Sequence, residues 1–330
     1  GVTAIDRMNS LVRGQKLPLF SGGGLPHDQL ATEIAQRARL RGDSDDEFAV
    51  VFVGIGVSHD IAESFRSAME TSGALGHTAM FLNRADESSA QRLLTPRFAL
   101  TCAEYLAFVE GRHVLVIMTD MTNYCEALRE VSASHGEIPG RKGFPGNMYS
   151  DLATVFERAG CLHDNPGTLT QLPIVTLPGD DIGHPIPDLT GYITEGQIVL
   201  DRDLHRGNIY PPVNVLPSLS RLMDYGTGEG FTDADHPQLA SQLFAAYANA
   251  RRVRVLASVM GQEGLSDIDA SYLAFGQRFE QEFISQDAPR TLEESMAIGW
   301  ATLAELPDGE LTRLSNEQIE ACIWKHRRRD

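Results

Sequence analysis

The first half of the chain alternates short apolar runs with stretches of helical spacing, and this alternation restricts the fold more than any other feature. Apolar runs occupy residues 17–20, 48–57, 77–83, 113–118, 173–179 and 196–202. Residues 28–40, the stretch from residue 60 and residues 124–131 have helical spacing instead. Because successive parallel strands need helical crossovers, the pattern predicts βα units in a largely parallel sheet with helices on both faces. The segment 179–196, rich in glycine and proline, is predicted to be an ordered loop.

After about residue 230 the strand signal stops and long amphipathic patterns replace it. They cover residues 238–260, 271–286 and 291–306, with apolar side chains recurring at helical spacing. The chain is therefore predicted to contain an α/β domain over residues 1–228 and an all-α domain over residues 229–330.

Composition excludes several classes of function. The chain carries 28 basic and 45 acidic residues for a net charge of −17, which disfavours nucleic acid as a partner. Its four cysteines include no CxxC pair, so neither a disulfide framework nor a thiolate zinc site is indicated, and a reducing compartment fits best. No histidine pair has the spacing of HExxH, and we predict no metal site.

Direct insertion in a membrane is also not expected. The apolar runs are much shorter than the roughly 20 residues that a spanning helix needs. The first residues, GVTAIDRMNSLVRG, lack the apolar core and cleavage site of a signal peptide. Any attachment to a membrane is expected to go through partner subunits.

A glycine-rich turn follows the first predicted strand and precedes the first predicted helix. A phosphate-binding P-loop has this strand, loop and helix order, with the pattern G-x-x-x-x-G-K-[ST]. Here the turn contains Gly22, Gly23 and Gly24, but His27 stands at the lysine position and Asp28 at the hydroxyl position. A carboxylate beside the phosphates repels them, so this degenerate P-loop is predicted not to bind phosphate.

Two further observations bear on this turn. Pro26 stands at the position of the last P-loop glycine and removes one N–H from the cradle. The alternative interpretation is an ordinary tight turn with Asp28 as the N-cap of the helix, and it also denies phosphate binding. A second glycine pair, Gly54 and Gly56, lacks the third glycine of a dinucleotide fingerprint and is not interpreted as a site.

The most specific motif is PPVNVLPSLSRLM, residues 211–223. Its three prolines within seven residues predict an extended, rigid backbone, and its serines can cap neighbouring main chain. This segment is expected to hold Arg221 stiffly. It resembles the signature segment of nucleotide-binding subunits of rotary ATPases, in the form found in the B subunit of vacuolar and archaeal-type (V/A-type) enzymes.

The resemblance extends over most of residues 1–224. The segments that carry it, in family order, are GVTAIDRMNSLVRGQKLPLFSGGGLPH, LVIMTDMTNYCEALREVS, GEIPGRKGFPGNMYSDLATVFERAG, DDIGHPIPDLTGYITEGQI and LHRGNIYPPVNVLPSLSRLM. The helical part, with YLAFGQRFEQEFI and IGWATLAELP, is similar to the family's C-terminal domain through less specific motifs. Full-length subunits of the family open with a small β-barrel domain, and this chain is expected to start after it.

The resemblance implies a RecA-like domain with a degenerate P-loop, followed by a helical domain, in a non-catalytic subunit. Such a subunit alternates with a catalytic A subunit in a hexameric ring, with central rotor stalk and peripheral stalk subunits as further partners. ATP or ADP with Mg²⁺ would lie at the interface with the catalytic subunit, and none would be bound by this chain alone. The protein would be cytoplasmic and peripheral to the membrane through the rotary complex.

The resemblance also implies roles for single residues. On the matching motif Arg221 is the arginine finger that reaches in trans into the neighbouring ATP site. Ser220 is a candidate for a nucleotide contact at the interface. Asn123 and Tyr124 are further candidates because they follow Asp120, and the alternative for both is a role in the core or in helix capping. Whether protons or sodium ions are coupled, and in which direction the enzyme runs, leaves no trace in this chain.

Two further positions can be compared with those of catalytic relatives, and the first supports a non-catalytic role on chemical grounds. Catalytic relatives carry a glutamate after the second strand to orient the attacking water, whereas this chain has Val57 there, which cannot polarise water. Asp120 stands where relatives keep the strand-terminal aspartate that holds magnesium through water, and we interpret it as structural or as part of an interface.

Two alternatives stay open at this point. The first is a scaffold or binding module derived from such a subunit, without a catalytic contribution. The second is an independent hydrolase with an unfamiliar site, around His59 and Asp60 or around the loop at Asp180. A catalytic rotary ATPase subunit is disfavoured by His27, Asp28 and Val57 together.

Overall fold

The computed structural model describes residues 1–38 and 48–327. The strands are β1 (Leu19–Gly22), β2 (Phe48–Val57), β3 (Thr78–Arg84), β4 (His113–Thr119), β5 (Gly160–Cys161), β6 (Thr168–Leu177), β7 (Gly196–Val199) and β8 (Leu219–Ser220). Eight helices lie between the chain start and β8: α1 (Thr3–Met8), α2 (His27–Arg37), α3 (His59–Ser72), α4 (Ser89–Glu104), α5 (Met121–Ser134), α6 (Met148–Phe156), α7 (Pro185–Ile193) and α8 (Arg202–Arg206).

The strands form one sheet in the order β3-β2-β4-β6-β1-β7-β8, with the short β5 antiparallel to β6. The pairs β2–β3, β2–β4, β4–β6, β1–β6 and β1–β7 are all parallel. In the middle of this order, Leu19 of β1 pairs with Ile174 of β6 on one side and with Ile198 of β7 on the other. The predicted α/β organisation is confirmed.

Helices cover both faces of the sheet because its central strands are apolar on both sides. On one face Val51 of β2 joins a buried cluster with Leu100 of α4 and Tyr124 of α5. On the other face the Phe52 ring meets the Phe65 ring of α3 edge-on, with 4.7 Å between centroids. In a strand that is buried on both faces, apolar residues do not alternate with polar ones. This explains the continuous apolar run from residue 48.

The helical part is confirmed as well. It contains α9 (His236–Met260), α10 (Asp267–Arg278), α11 (Leu292–Leu303), α12 (Asn316–Gln318) and α13 (Trp324–Arg327), with π-helical turns at Phe279–Ile284 and Ile319–Ile323. A row of aromatic rings forms its core: the Phe279 ring lies 4.7 Å from the Tyr247 ring and 4.9 Å from the Phe283 ring. Burial of such large apolar rings is the main term that stabilises a helical bundle of this kind.

Contacts divide the chain into two compact units. The sheet unit comprises Leu11–Leu200 and Ser220–Leu222, and the helical unit comprises Gly1–Ser10, Asp201–Leu219 and the chain from Met223 onward. In the helical unit the fully buried Arg7 of α1 donates from Nε to Ser295 Oγ at 2.8 Å and pairs with Asp233 at 3.1 Å. The boundary at residue 228 rests on the texture of the sequence and stays a prediction.

Three local predictions differ from the structure. The helix predicted over residues 28–40 begins at His27 and is observed to Arg37, and its predicted end lies outside the described residues. The loop predicted over residues 179–196 is wrong where α7 forms. Proline is compatible with this helix because Pro185 is the first helical residue, where a missing N–H costs nothing.

The proline-rich segment is also less extended than predicted. Residues 215–217 form a turn rather than extended chain. The Ser218 hydroxyl donates to the Asn214 carbonyl oxygen at 2.6 Å, so the expected serine bond to main chain is present, inside a turn. The rigidity expected for the segment stays a prediction.

Gly167, immediately before β6, allows a test of this packing. A Cβ placed there would overlap the Ala107 carbonyl oxygen and lie 2.9 Å from the Arg112 carbonyl oxygen. We expect Gly167→Ala to lower the free energy of unfolding by about 1–3 kcal/mol, because overpacking forces backbone to move. Gly76→Ala is the matched control, since a Cβ there has nothing within 4 Å. Urea unfolding of both variants measures the difference in the free energy of unfolding. Equal stabilities of the two variants would contradict the prediction.

Candidate functional site

The degenerate P-loop lies where β1 ends and α2 begins. Gly24 adopts a φ of +79°, a conformation that favours glycine. Two backbone N–H groups of the turn are already used inside it: Leu25 donates to the Gly22 carbonyl oxygen at 3.2 Å and His27 donates to the Leu25 carbonyl oxygen at 2.8 Å. The turn therefore has the position of a P-loop, but part of its donor set points inward.

The side chains at the lysine and hydroxyl positions are held by their neighbours. His27 Nδ1 lies 3.0 Å from Ser21 Oγ, and its Nε2 lies 3.7 Å from Asp28 Oδ2. The Thr119 hydroxyl donates to Asp28 Oδ1 at 3.1 Å. The alternative of Asp28 as a helix N-cap is wrong, because Pro26 is the N-cap residue and no side chain caps that end.

Asp120, at the carboxyl end of β4, is buried and fully engaged by its own domain. Its Oδ1 accepts from the backbone N–H groups of Thr122 and Thr176, at 2.9 and 3.2 Å, and its Oδ2 accepts from the Thr176 hydroxyl at 2.5 Å. Burial raises the pKa of the Asp120 carboxyl above its usual 3.8, against the lowering effect of these hydrogen bonds and of His27.

These residues do not fit the phosphate tail of a magnesium nucleotide. A triphosphate needs a cation and free N–H groups at the loop, whereas this turn presents the Asp28 carboxylate, with that of Asp120 at the end of β4. Pro26 contributes no N–H, and the hydroxyl of Thr119 is directed at Asp28. The geometry supports the prediction that the degenerate P-loop does not bind phosphate, which stays a prediction.

Val57, Asn123 and Tyr124 are all engaged inside their own domain. Val57 is 5% exposed. Asn123 donates from Nδ2 to the Ile55 and Gly56 carbonyl oxygens at 2.9 and 3.3 Å, which ties α5 to the end of β2.

Tyr124 is fully buried, and its hydroxyl bonds to Asp151 at 2.5 Å and to Arg97 at 3.2 Å. A nucleotide contact through this hydroxyl would require these bonds to break. The nucleotide contacts suggested for Asn123 and Tyr124 stay predictions.

Arg221 has different surroundings. It follows β8 directly, is exposed, and within residues 1–38 and 48–327 its guanidinium has no hydrogen bond or ion pair. Its backbone is fixed, because the Arg221 N–H donates to the Glu195 carbonyl oxygen at 3.0 Å. The preceding Ser220 is 8% exposed, and its hydroxyl accepts from Gln15 Nε2 at 3.0 Å. A permanently charged group is thus carried outward on an anchored backbone.

Residues 15–16 and 195 are functional candidates that the motifs did not identify. The one signal in the sequence was a polar pair, Gln15 and Lys16, directly before a buried strand. Their partner Glu195 lies about 180 positions further on, and no local spacing connects it to them.

The residues suggested for an independent hydrolase form no site. His59 and Asp60 are exposed at the start of α3, and neither makes a side-chain hydrogen bond or ion pair within the part of the chain that the structure describes. Asp180 is exposed in a turn. Over the same residues no three histidine, cysteine or acidic side chains gather as metal ligands would. None of the described helices combines the length and apolarity that crossing a bilayer requires.

Comparison with known families identifies the class of protein. Residues 1–220 match the model of the nucleotide-binding domain of the ATP synthase alpha/beta family. Residues 225–323 match the C-terminal domain of V and A type ATP synthase. With the sheet and helical units described above, these matches define a V- or A-type ATP synthase subunit with a nucleotide-binding domain.

Individual relatives narrow the class. The chain is 58% identical over 322 residues to a V-type ATP synthase beta chain of Halothermothrix orenii, covering 97% of this chain and 69% of that one. It is 56% identical over 325 residues to V-type ATP synthase beta chain 2 of Treponema pallidum, covering 98% and 68%. The solved structure of the ATP synthase subunit NeqB from Nanoarcheaum equitans superposes with a TM-score of 0.86 at 42% identity, covering 93% and 76%. The chain belongs to the V-type ATP synthase beta-chain family.

The buried carboxyl of Asp120 predicts a pH effect on stability. Because its pKa is raised in the folded state, the folded protein binds more protons than the unfolded chain between pH 3.8 and the folded value. The free energy of unfolding therefore falls as pH rises through this window, by up to about 1.4 kcal/mol per pH unit, the slope for one proton. We expect Asp120→Asn to remove this component and to stabilise the protein at neutral pH, because an amide keeps an acceptor without the buried charge.

Urea unfolding of both proteins between pH 4 and 8 measures this difference. Asp181→Asn is the control, because Asp181 is exposed and the pKa of its carboxyl is lowered, chiefly by the hydrogen bond from Lys142. That variant should leave the Asp120 component in place. Parallel pH profiles for Asp120→Asn and the unchanged chain would mean that this carboxyl does not control the effect.

Proposed function

We propose that this chain is the non-catalytic B subunit of a V/A-type rotary ATPase and that Arg221 acts in trans on ATP held by the neighbouring catalytic A subunit. The two subunits would alternate in a hexameric ring around a central rotor stalk, with peripheral stalk subunits outside it. The ring would work in ATP synthesis or hydrolysis coupled to proton or sodium transport, in the cytoplasm and peripheral to the membrane. ATP or ADP with Mg²⁺ would lie at the subunit interface, with none bound by this chain alone.

The observation that carries this proposal is the unpaired guanidinium of Arg221 on an anchored backbone. An arginine that serves the stability of its own domain is normally paired or packed, as Arg7 is in the helical unit. Arg221 is exposed, and it has no partner among the described residues. A guanidinium in this state is available to a phosphate of another subunit.

The chemistry of arginine suits the task. Its planar, permanently charged fork donates two parallel hydrogen bonds to phosphate oxygens, and a lysine cannot reproduce that geometry. In phosphoryl transfer the negative charge spreads over the equatorial oxygens, and a cation placed against them stabilises the transition state. Ser220 and Asn123 lie on the same unit as Arg221 and remain our candidates for further contacts with the bound nucleotide, with Tyr124 as a weaker one.

The degenerate P-loop supports the division of labour. Asp28 and His27 are bonded to Thr119 and Ser21 rather than left open. Val57, at the position of the catalytic glutamate, is buried and apolar. A subunit without the groups that hold phosphate and orient water can still contribute charge to a site that a neighbour builds.

Replacing Arg221 tests the proposal directly. In rings reconstituted with the catalytic subunit, we expect Arg221→Ala to lower ATP turnover by about 10³- to 10⁵-fold, the range for arginine fingers. Arg221→Lys should recover only part of this loss, because it keeps the charge without the fork. Ring assembly, measured by size-exclusion chromatography, should not change.

Arg66→Ala is the matched control. Arg66 is also exposed, and it pairs on the surface with Glu63 at 2.9 Å, an interaction of about 0–1 kcal/mol. This variant should leave turnover unchanged. Unchanged turnover in Arg221→Ala, with intact rings, would remove the arginine finger and leave a scaffold role.

A second prediction concerns the degenerate P-loop of the isolated chain. We expect His27→Lys combined with Asp28→Thr to raise the affinity for ATP by at least about tenfold, because it adds a cation and removes a repelling anion. No steady hydrolysis should appear, since Val57 cannot orient water.

Calorimetric titration of the unchanged chain, this double variant and Gln29→Lys measures the effect. Gln29 is an exposed residue of α2, and its replacement adds a positive charge without changing the turn. If the unchanged chain bound ATP as tightly as the double variant, the degenerate P-loop would have to be regarded as competent.

A further inference from the structure

The backbone N–H of Arg221 is hydrogen-bonded to one residue of the sheet unit, Glu195. The Glu195 carbonyl oxygen accepts from the Arg221 N–H at 3.0 Å and from Gln15 Nε2 at 3.2 Å. The Glu195 N–H donates to the Lys16 carbonyl oxygen at 3.1 Å. Glu195 therefore connects the residue that carries the guanidinium to the chain just before β1.

The side chain of Glu195 holds the same residue through two further contacts with Lys16. One carboxylate oxygen accepts from the Lys16 backbone N–H at 3.0 Å, and the other accepts from Lys16 Nζ at 2.5 Å. Lys16 is 7% exposed, so this ion pair is largely shielded from water. The three hydrogen bonds between Lys16 and Glu195 leave the Glu195 backbone little freedom to rotate.

Gln15 closes the arrangement. It is fully buried, and both ends of its amide are used. Nε2 donates to Ser220 Oγ at 3.0 Å as well as to Glu195, and Oε1 accepts from the Val12 N–H at 3.0 Å. A buried amide without hydrogen-bond partners is destabilising, so this side chain has one well-defined placement.

We propose that Gln15 is a positioning residue for Arg221, acting through Ser220 and the Glu195 carbonyl. The inference rests on the proposed function, because it concerns the precision with which the guanidinium reaches the neighbouring ATP. Gln15 makes no hydrogen bond to the guanidinium itself. It bonds to the hydroxyl of Ser220, the residue before Arg221, and to the Glu195 carbonyl oxygen that accepts from the Arg221 N–H.

Precision matters because charge stabilisation in a transition state depends steeply on geometry. A misplacement of about 1 Å can lower a rate by about 10²-fold while the reacting groups remain present. The Arg221 side chain has four rotatable bonds and no partner among the described residues, so its placement depends on where its Cα is held. Loss of the Gln15 amide removes the hydrogen bonds that this side chain makes to Ser220 Oγ and to the Glu195 carbonyl oxygen, while the Arg221 N–H keeps its bond to Glu195.

The test uses the reconstituted ring and four variants of this chain. Gln15→Met keeps the length of the side chain and removes its hydrogen bonds. Ser220→Ala removes only the hydroxyl that Gln15 contacts, and it serves if Gln15→Met does not fold. The other two are Arg221→Ala and the double variant Gln15→Met with Arg221→Ala. Gln36→Met is the matched control, since Gln36 also donates to a main-chain oxygen, that of Ala68 at 2.8 Å.

We expect Gln15→Met to lower kcat by about 10- to 100-fold with KM for ATP little changed, because ground-state binding belongs to the neighbouring subunit. Ser220→Ala should lower kcat in the same direction by a smaller factor, and Gln36→Met should not. In the Arg221→Ala background, Gln15→Met should have no additional effect on kcat, because its action passes through the arginine.

The outcomes separate the two proposals. A large loss in Arg221→Ala, together with unchanged kcat in Gln15→Met and Ser220→Ala, overturns the positioning role and leaves the proposed function standing. A full additional loss from Gln15→Met when Arg221 is absent also overturns it, because the residue would then act by another route. No loss in Arg221→Ala overturns the proposed function itself.

Discussion

The pairing of β1 with β6 on one side and β7 on the other determines most of what this chain can do. β1 has only four residues, and its first two, Leu19 and Phe20, are almost completely buried. Because all three strands run in parallel, their carboxyl ends meet at one edge of the sheet and their amino ends at the opposite edge. The degenerate P-loop follows β1 at the first edge, and the Gln15, Lys16 and Glu195 arrangement precedes β1 and β7 at the second.

The two edges handle charge in opposite ways. At the carboxyl edge, Asp28 and Asp120 accept hydrogen bonds from hydroxyl and N–H groups of their own unit. At the amino edge, Lys16 and Glu195 pair with each other, and the Arg221 guanidinium has no hydrogen bond or ion pair within the part of the chain that the structure describes. In a chain of net charge −17, this exposed cation on a fixed backbone supports the proposed role of Arg221 toward an anion of another subunit.

Periodicity and motif spacing in the sequence predicted much of the fold. The buried strands, the change to helices after residue 230 and the degenerate P-loop could be read from local patterns, because each depends on residues close in sequence. The helix α7 could not, since Pro185 and Pro187 are also frequent in loops and only their placement in the first helical turn makes them compatible with a helix.

In the candidate site, too, only the features that depend on residues close in sequence could be predicted. Arg221 was identified from a motif within thirteen residues, whereas the partners of its backbone come from residues 15, 16 and 195, which only the closed sheet brings together. The roles suggested for Asn123 and Tyr124 came from their position after Asp120. Their side chains prove to be used inside the domain, by the end of β2 and by Asp151. Sequence position alone carried no information about those partners.

The attachment of Arg221 to Glu195 and Gln15 has a consequence for biogenesis. Segments separated by roughly 180 and 205 positions along the chain must come together before the arginine has a defined place. Long-range closure of this kind occurs late in folding, because its entropic cost is met only when the strands between are already paired. In the proposed ring, a subunit that is only partly folded would offer its neighbours no correctly placed cation. Completion of the fold and readiness for assembly would then be a single event.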